Sequence, residues 1–83
     1  SNTLLNGILN HCDPIETAVE GCVALFELEN KQQHCAIVTN VNPLYIIHAY
    51  APLRKVVEHN LPESPGEMYI NKKTLIGFYQ WRN

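Results

Sequence analysis

The chain has 83 residues, 46% of them apolar and 17% charged, with a net charge of −2 and a pI near 6.0. A chain of this length forms one domain, taken here as 1–83, that buries about 60 to 70% of its unfolded surface, and its apolar fraction excludes a disordered class. The mildly acidic balance offers no basic footprint for nucleic acid or an anionic membrane, and the longest apolar run, Cys22 to Phe26, falls well short of the roughly 20 residues a membrane-spanning helix requires.

Leu4, Leu5, Ile8, Leu9 and Cys12 recur at helical spacing behind Thr3, an acceptable N-cap residue, so the pattern predicts a short helix from Thr3 to Cys12 that Pro14 closes. A helix this short, with Gly7 inside it, needs a sheet to lie on. From Cys22 the pattern changes. Cys22 to Leu28 is a mostly apolar run suited to a buried strand, and Glu29-Asn30-Lys31-Gln32-Gln33 is a polar turn.

Two β-patterned runs follow, His34 to Thr39 and Leu44 to Tyr50, joined by the turn-forming cluster Asn40-Val41-Asn42-Pro43. A hairpin is the natural reading. It puts His34 and His48 on neighbouring antiparallel strands, where facing residues hold their Cβ atoms about 4.5 to 5.5 Å apart. Lys55 to Leu61 reads as a more polar strand near a sheet edge, on which His59 is expected to be solvated. Pro62-Glu63-Ser64-Pro65-Gly66 is a loop by composition, Tyr69 to Lys73 fits a helical turn, and Thr74 to Trp81 is a last strand. The expected fold class is α+β, a short N-terminal helix leading into an antiparallel meander of about five strands.

The three cysteines, Cys12, Cys22 and Cys35, are odd in number, which argues against a closed disulfide framework and for a reducing compartment. A structural zinc site wants closely spaced ligand pairs. The chain offers only His11-Cys12 and His34-Cys35, and neighbours on a strand point to opposite faces, so no metal or other cofactor is expected. His11 is read as a helix-end residue beside the dipole. The tyrosines, Phe78 and Trp81 are read as core and sheet packing. Taken without further context, His34 and His48 read first as partly buried strand histidines satisfied by backbone or hydroxyl partners.

Gly21-Cys22-Val23-Ala24-Leu25-Phe26, His34-Cys35-Ala36-Ile37-Val38, Ile47-His48-Ala49, Val56-Val57 and Leu75-Ile76-Gly77-Phe78-Tyr79 together resemble the second half of an NlpC/P60 domain. These are papain-like cysteine hydrolases that cut peptide stems of bacterial cell walls, and the likeness is greatest to the phage-associated cell-wall peptidase type. The resemblance spans positions 21 to 81. It implies the sheet half of a papain-like fold, with His34 as the general base and His48 as the residue that orients it. It also implies a peptidoglycan stem peptide as substrate, and a bacterial or phage-associated protein made in the cytoplasm that acts at the cell wall.

Gly21-Cys22 departs from the family's Gly-Asp. The family's nucleophile opens a helix, in a motif like Asp-Cys-[Ser/Val]-Gly-Leu, tens of residues before the base. Cys12 follows His11 and precedes Asp13-Pro14 at the expected end of its helix, where the dipole disfavours a thiolate, and Cys22 lies in a strand. The expectation is therefore a partial domain, the carboxy-terminal half, without its nucleophile. Its sheet is expected to expose Ala24, Phe26, Ala36, Val38 and Ile46 to a missing amino-terminal half or to a second copy in a homodimer.

Overall fold

A computed structural model describes residues 3–63 and 68–83. One short helix, α1 (Thr3–Leu9), precedes six strands: β1 (Cys12–Ile15), β2 (Val23–Glu27), β3 (Gln33–Asn40), β4 (Tyr45–Tyr50), β5 (Lys55–Asn60) and β6 (Leu75–Trp81). All six form one antiparallel sheet in the order β1-β6-β2-β3-β4-β5. The α+β class follows the sequence reading, and the strand count exceeds it by one. Among the described residues no helix is long and apolar enough to cross a membrane.

The added strand is β1. Its residues were expected to end the helix, but α1 stops at Leu9, and Cys12-Asp13-Pro14-Ile15 pairs with Trp81-Gln80-Tyr79-Phe78. Pro14 has no N–H to give a ladder, and an edge strand is where that loss is tolerated. The helix end is held from the far end of the chain: the Arg82 guanidinium donates to the carbonyls of Leu9 (3.3 Å) and Cys12 (2.9 Å), and the Arg82 amide donates to that of His11 (2.9 Å). These bonds satisfy backbone acceptors that a helix C-terminus and a tight turn leave without partners.

The meander is correct for β2 to β5 and fails for β6. Instead of extending the sheet beyond β5, β6 returns to pair with both β2 and β1. The connection from β5 to β6 must therefore cross the sheet. Leu61 and Ile70 from this connection join Cys22, Ala24, Phe26, Ala36, Val38 and Ile46 in one buried cluster, with Ile15, Ala18 and Tyr69 packed against it.

That crossing corrects the expectation of an uncovered face. Ala24, Phe26, Ala36, Val38 and Ile46 are at most 3% exposed, shielded by the chain's own segments. On the opposite face, Leu4, Leu5 and Ile8 of α1 cover Cys12, Val23, Leu25 and Tyr79.

Two local conformations position these elements. Gly21 enters β2 at φ 88°, a left-handed value at which a side chain is strained, while its amide donates to the Val38 carbonyl at 2.8 Å. The expected helical turn at Tyr69 to Lys73 forms slightly later, where the carbonyl of Asn71, a residue 1% exposed, accepts from the amides of Thr74 (3.2 Å) and Leu75 (3.1 Å). Its Oδ1 accepts from the amides of Lys73 (2.9 Å) and Thr74 (3.2 Å), and its Nδ2 donates to the Met68 carbonyl (3.3 Å). The asparagine oxygen thus caps the first free amides of this turn. Of the predicted loop Pro62 to Gly66, residues 64–66 lie outside the described residues.

Candidate active site

β3, β4 and β5 carry one histidine each on the same face of the sheet. Val38 pairs with Ile46, and Ile46 pairs with His59. His34 lies four residues before Val38 and His48 two after Ile46, and side chains alternate with period two, so His34, His48 and His59 share the Val38 and Ile46 side. His34 pairs with Phe26 of β2, which closes the row at its buried end.

The three rings are hydrogen-bonded in series. His34 Nε2 lies 2.9 Å from His48 Nδ1, and His48 Nε2 lies 2.9 Å from His59 Nε2. His59 Nδ1 donates to the Asn60 carbonyl at 2.7 Å. The structure thus brings together both residues named from the sequence, on adjacent antiparallel strands and in direct contact. It adds one that the sequence reading missed: His59 is half-buried and bonded to His48 rather than solvated. The alternation Val57-Glu58-His59 was a usable signal, because it places His59 on the more shielded side of an edge strand.

Burial decides the charge of this row. His48, 5% exposed, is lowered from 6.5 to about 4, first by loss of water and then by the repulsion that charges on His34 and His59 would exert; a backbone bond at Ala49 acts weakly the other way. Burial also lowers His34 below 6.5. Both rings are neutral at neutral pH, the state a general base requires.

Aromatic rings shield the row. Tyr69 stands edge-on to His34 (6.4 Å between centroids), Tyr50 edge-on to His48 (5.7 Å), and the two tyrosines stack on each other (5.5 Å, 29° between planes). Burial, and then the neighbouring Tyr50, raise Tyr69 above the usual phenol value of 10.0, so its hydroxyl stays protonated. His34 opens onto a groove of about 1370 Å³ that is also lined by Glu27, Tyr69, Asn71, Lys73 and Thr74. The turn between β2 and β3, the end of β4 and the β5–β6 connection all contribute to its lining.

None of the three thiols reaches this row. Cys12 packs with Val23 and Leu25 on the helix side, and Cys35 follows His34 in β3 and so faces away from it, exposed. Cys22 is on the histidine side, but its carbonyl accepts from Val38, four residues or about 13 Å along β3 from His34. Burial raises the thiols of Cys22 and Cys35 above 9.0, opposite to the shift a nucleophile needs.

The histidine row does not form a metal-binding set. Among the described residues no three histidine, cysteine, aspartate or glutamate side chains converge on a metal position, and both ring nitrogens of His48 are already engaged by other rings. No family model, curated protein or solved structure matches the chain.

Proposed function

We propose that this chain carries the base-and-orienter half of a papain-like cysteine hydrolase of the NlpC/P60 type, acting on peptidoglycan stem peptides at a bacterial cell wall. The observation that supports it is the 2.9 Å bond between His34 Nε2 and His48 Nδ1, which leaves His34 Nδ1 without a bonded partner among the described residues, beside an open groove. In this reading His34 Nδ1 takes the proton of a cysteine thiol supplied by another segment or chain. The thiolate then bonds to the peptide carbonyl carbon. When the C–N bond breaks, the amine leaves with the proton from His34, and a water deprotonated by the same ring hydrolyses the thioester and restores the thiol. His48 holds the base ring in orientation throughout.

The distance of all three cysteines from His34 favours a second reading, a non-catalytic β-rich module that binds through the same groove. One experiment separates the two. The natural gene product that contains this chain is incubated with purified peptidoglycan, and release of soluble stem peptides is followed. The hydrolase reading expects release that iodoacetamide blocks and His34→Ala abolishes. No release, or release indifferent to both, leaves the module.

A further inference from the structure

We propose that His59 is a positioning residue which, anchored on the Asn60 carbonyl, sets the tautomers of His48 and His34 so that His34 Nδ1 is left as an unprotonated, proton-accepting nitrogen. Its catalytic meaning rests on the hydrolase reading above; the tautomers themselves do not.

The Asn60 carbonyl fixes the polarity of the row. A carbonyl oxygen only accepts, so the 2.7 Å contact with Asn60 requires the hydrogen of His59 to sit on Nδ1. A neutral imidazole carries a single N–H, and His59 Nε2 is then a lone pair. Two ring nitrogens 2.9 Å apart bond only when one hydrogen lies between them, so His48 donates from Nε2. His48, kept neutral by burial, therefore presents a lone pair at Nδ1. His34 must donate to it from Nε2, and the remaining nitrogen of His34, Nδ1, is bare.

The opposite polarity fails at one point. If His34 carried its hydrogen on Nδ1, His48 would have to donate from Nδ1, and its Nε2 lone pair would face the lone pair of His59 Nε2 at 2.9 Å. A neutral row removes that clash only by breaking the Asn60 bond. The backbone thus dictates, through three rings on three strands, which nitrogen of His34 is available as a base.

His59 is suited to this part by its register. Its pairing partner is Ile46, two residues before His48, so the two imidazoles are diagonal neighbours on one face. The interaction uses His59 Nε2 and leaves Nδ1 for the main chain of its own strand.

Long-range proton–nitrogen correlation spectra of the 15N-labelled chain test the proposal, because they report which nitrogen of each ring carries hydrogen. At pH 8, above the ordinary imidazole range, His34 and His48 are expected to be protonated on Nε2 and His59 on Nδ1. His59→Phe removes the acceptor and should turn His34 and His48 into tautomer mixtures. His59→Gln places an amide oxygen near the lost nitrogen and should restore both. A wild-type His34 protonated on Nδ1 overturns the proposal, as does a His34 tautomer unchanged by His59→Phe; if His59→Phe does not fold, the wild-type and His59→Gln spectra decide. In the natural gene product, His59→Phe is expected to lower kcat about 10- to 100-fold at unchanged KM, part of the factor a positioned base supplies, with His59→Gln recovering most of it. Failure of the hydrolase reading looks different: no variant releases stem peptides, while the tautomers remain as assigned.

Discussion

Tyr50 and Tyr69 stack with their centroids 5.5 Å apart, and this pair joins the end of β4 to the connection that crosses the sheet. Each ring also stands edge-on to a histidine, Tyr50 to His48 and Tyr69 to His34. The stack is therefore both a fastening for the crossing segment and a lid that keeps water from the histidine row. Tyr69→Ala should let water reach His34 and raise its lowered titration toward 6.5. It should also cost about 2 kcal/mol, below the range for a fully buried aromatic because Tyr69 is only partly shielded. Proton chemical shifts of the His34 ring followed against pH measure the first effect, and a His34 titration that stays in place would deny Tyr69 its shielding role.

Stability should fall with acidity in a window set by these rings. Between 6.5 and about 4 the unfolded chain binds a proton at residue 48 that the folded chain refuses. The unfolded state is therefore favoured progressively as pH drops through that interval, by at most about 1.4 kcal/mol per pH unit for one proton. His34, also lowered by burial, acts with the same sign. Urea midpoints are expected to be lower at pH 5 than at pH 7, and His48→Asn should flatten the difference. Equal midpoints in the wild-type chain would contradict the buried, neutral His48.

The 83-residue chain alone should show no thiol-dependent release of peptides from peptidoglycan, because Cys12, Cys22 and Cys35 all lie away from His34. Under native conditions a colourimetric thiol reagent should titrate Cys35 first, with Cys12 and Cys22 reacting only on denaturation. Turnover by the isolated chain that vanished in Cys22→Ala or Cys12→Ala would identify a nucleophile and force a rearrangement of this site.

Asn71 is expected to be the most sensitive polar position outside the histidine row. Asn71→Ala removes the acceptor for two amides and the donor to the Met68 carbonyl from a site that is 1% exposed, a loss of about 2 to 4 kcal/mol. Asn71→Asp keeps the acceptor and should lose less. Thermal unfolding of the two variants ranks them, and equal losses would show that the amide-accepting oxygen is not what matters.

The histidine hairpin was legible because its signals are local. Alternating apolar residues and the Asn40 to Pro43 turn define β3 and β4, and two residues two apart on a strand must share a face. β1 was illegible for the converse reason: four residues that include Pro14 carry no alternation, and they are a strand only because β6 lies beside them. His59 was misjudged because the polarity of β5 reports its outer side, while the inner side is set by contact with β4.

From its sequence alone, this chain reads as α+β, with a helix ahead of an antiparallel sheet and two histidines placed to meet across a hairpin. The tertiary structure decided that β6 inserts between β1 and β2, that the β5–β6 connection buries the face expected to lie open, and that a third histidine completes the row. The division has a physical cause. Side-chain periodicity and turn chemistry act within a few residues, whereas strand order and the bonding of His48 to His59 depend on which apolar surfaces find one another after the chain has closed its longest loop.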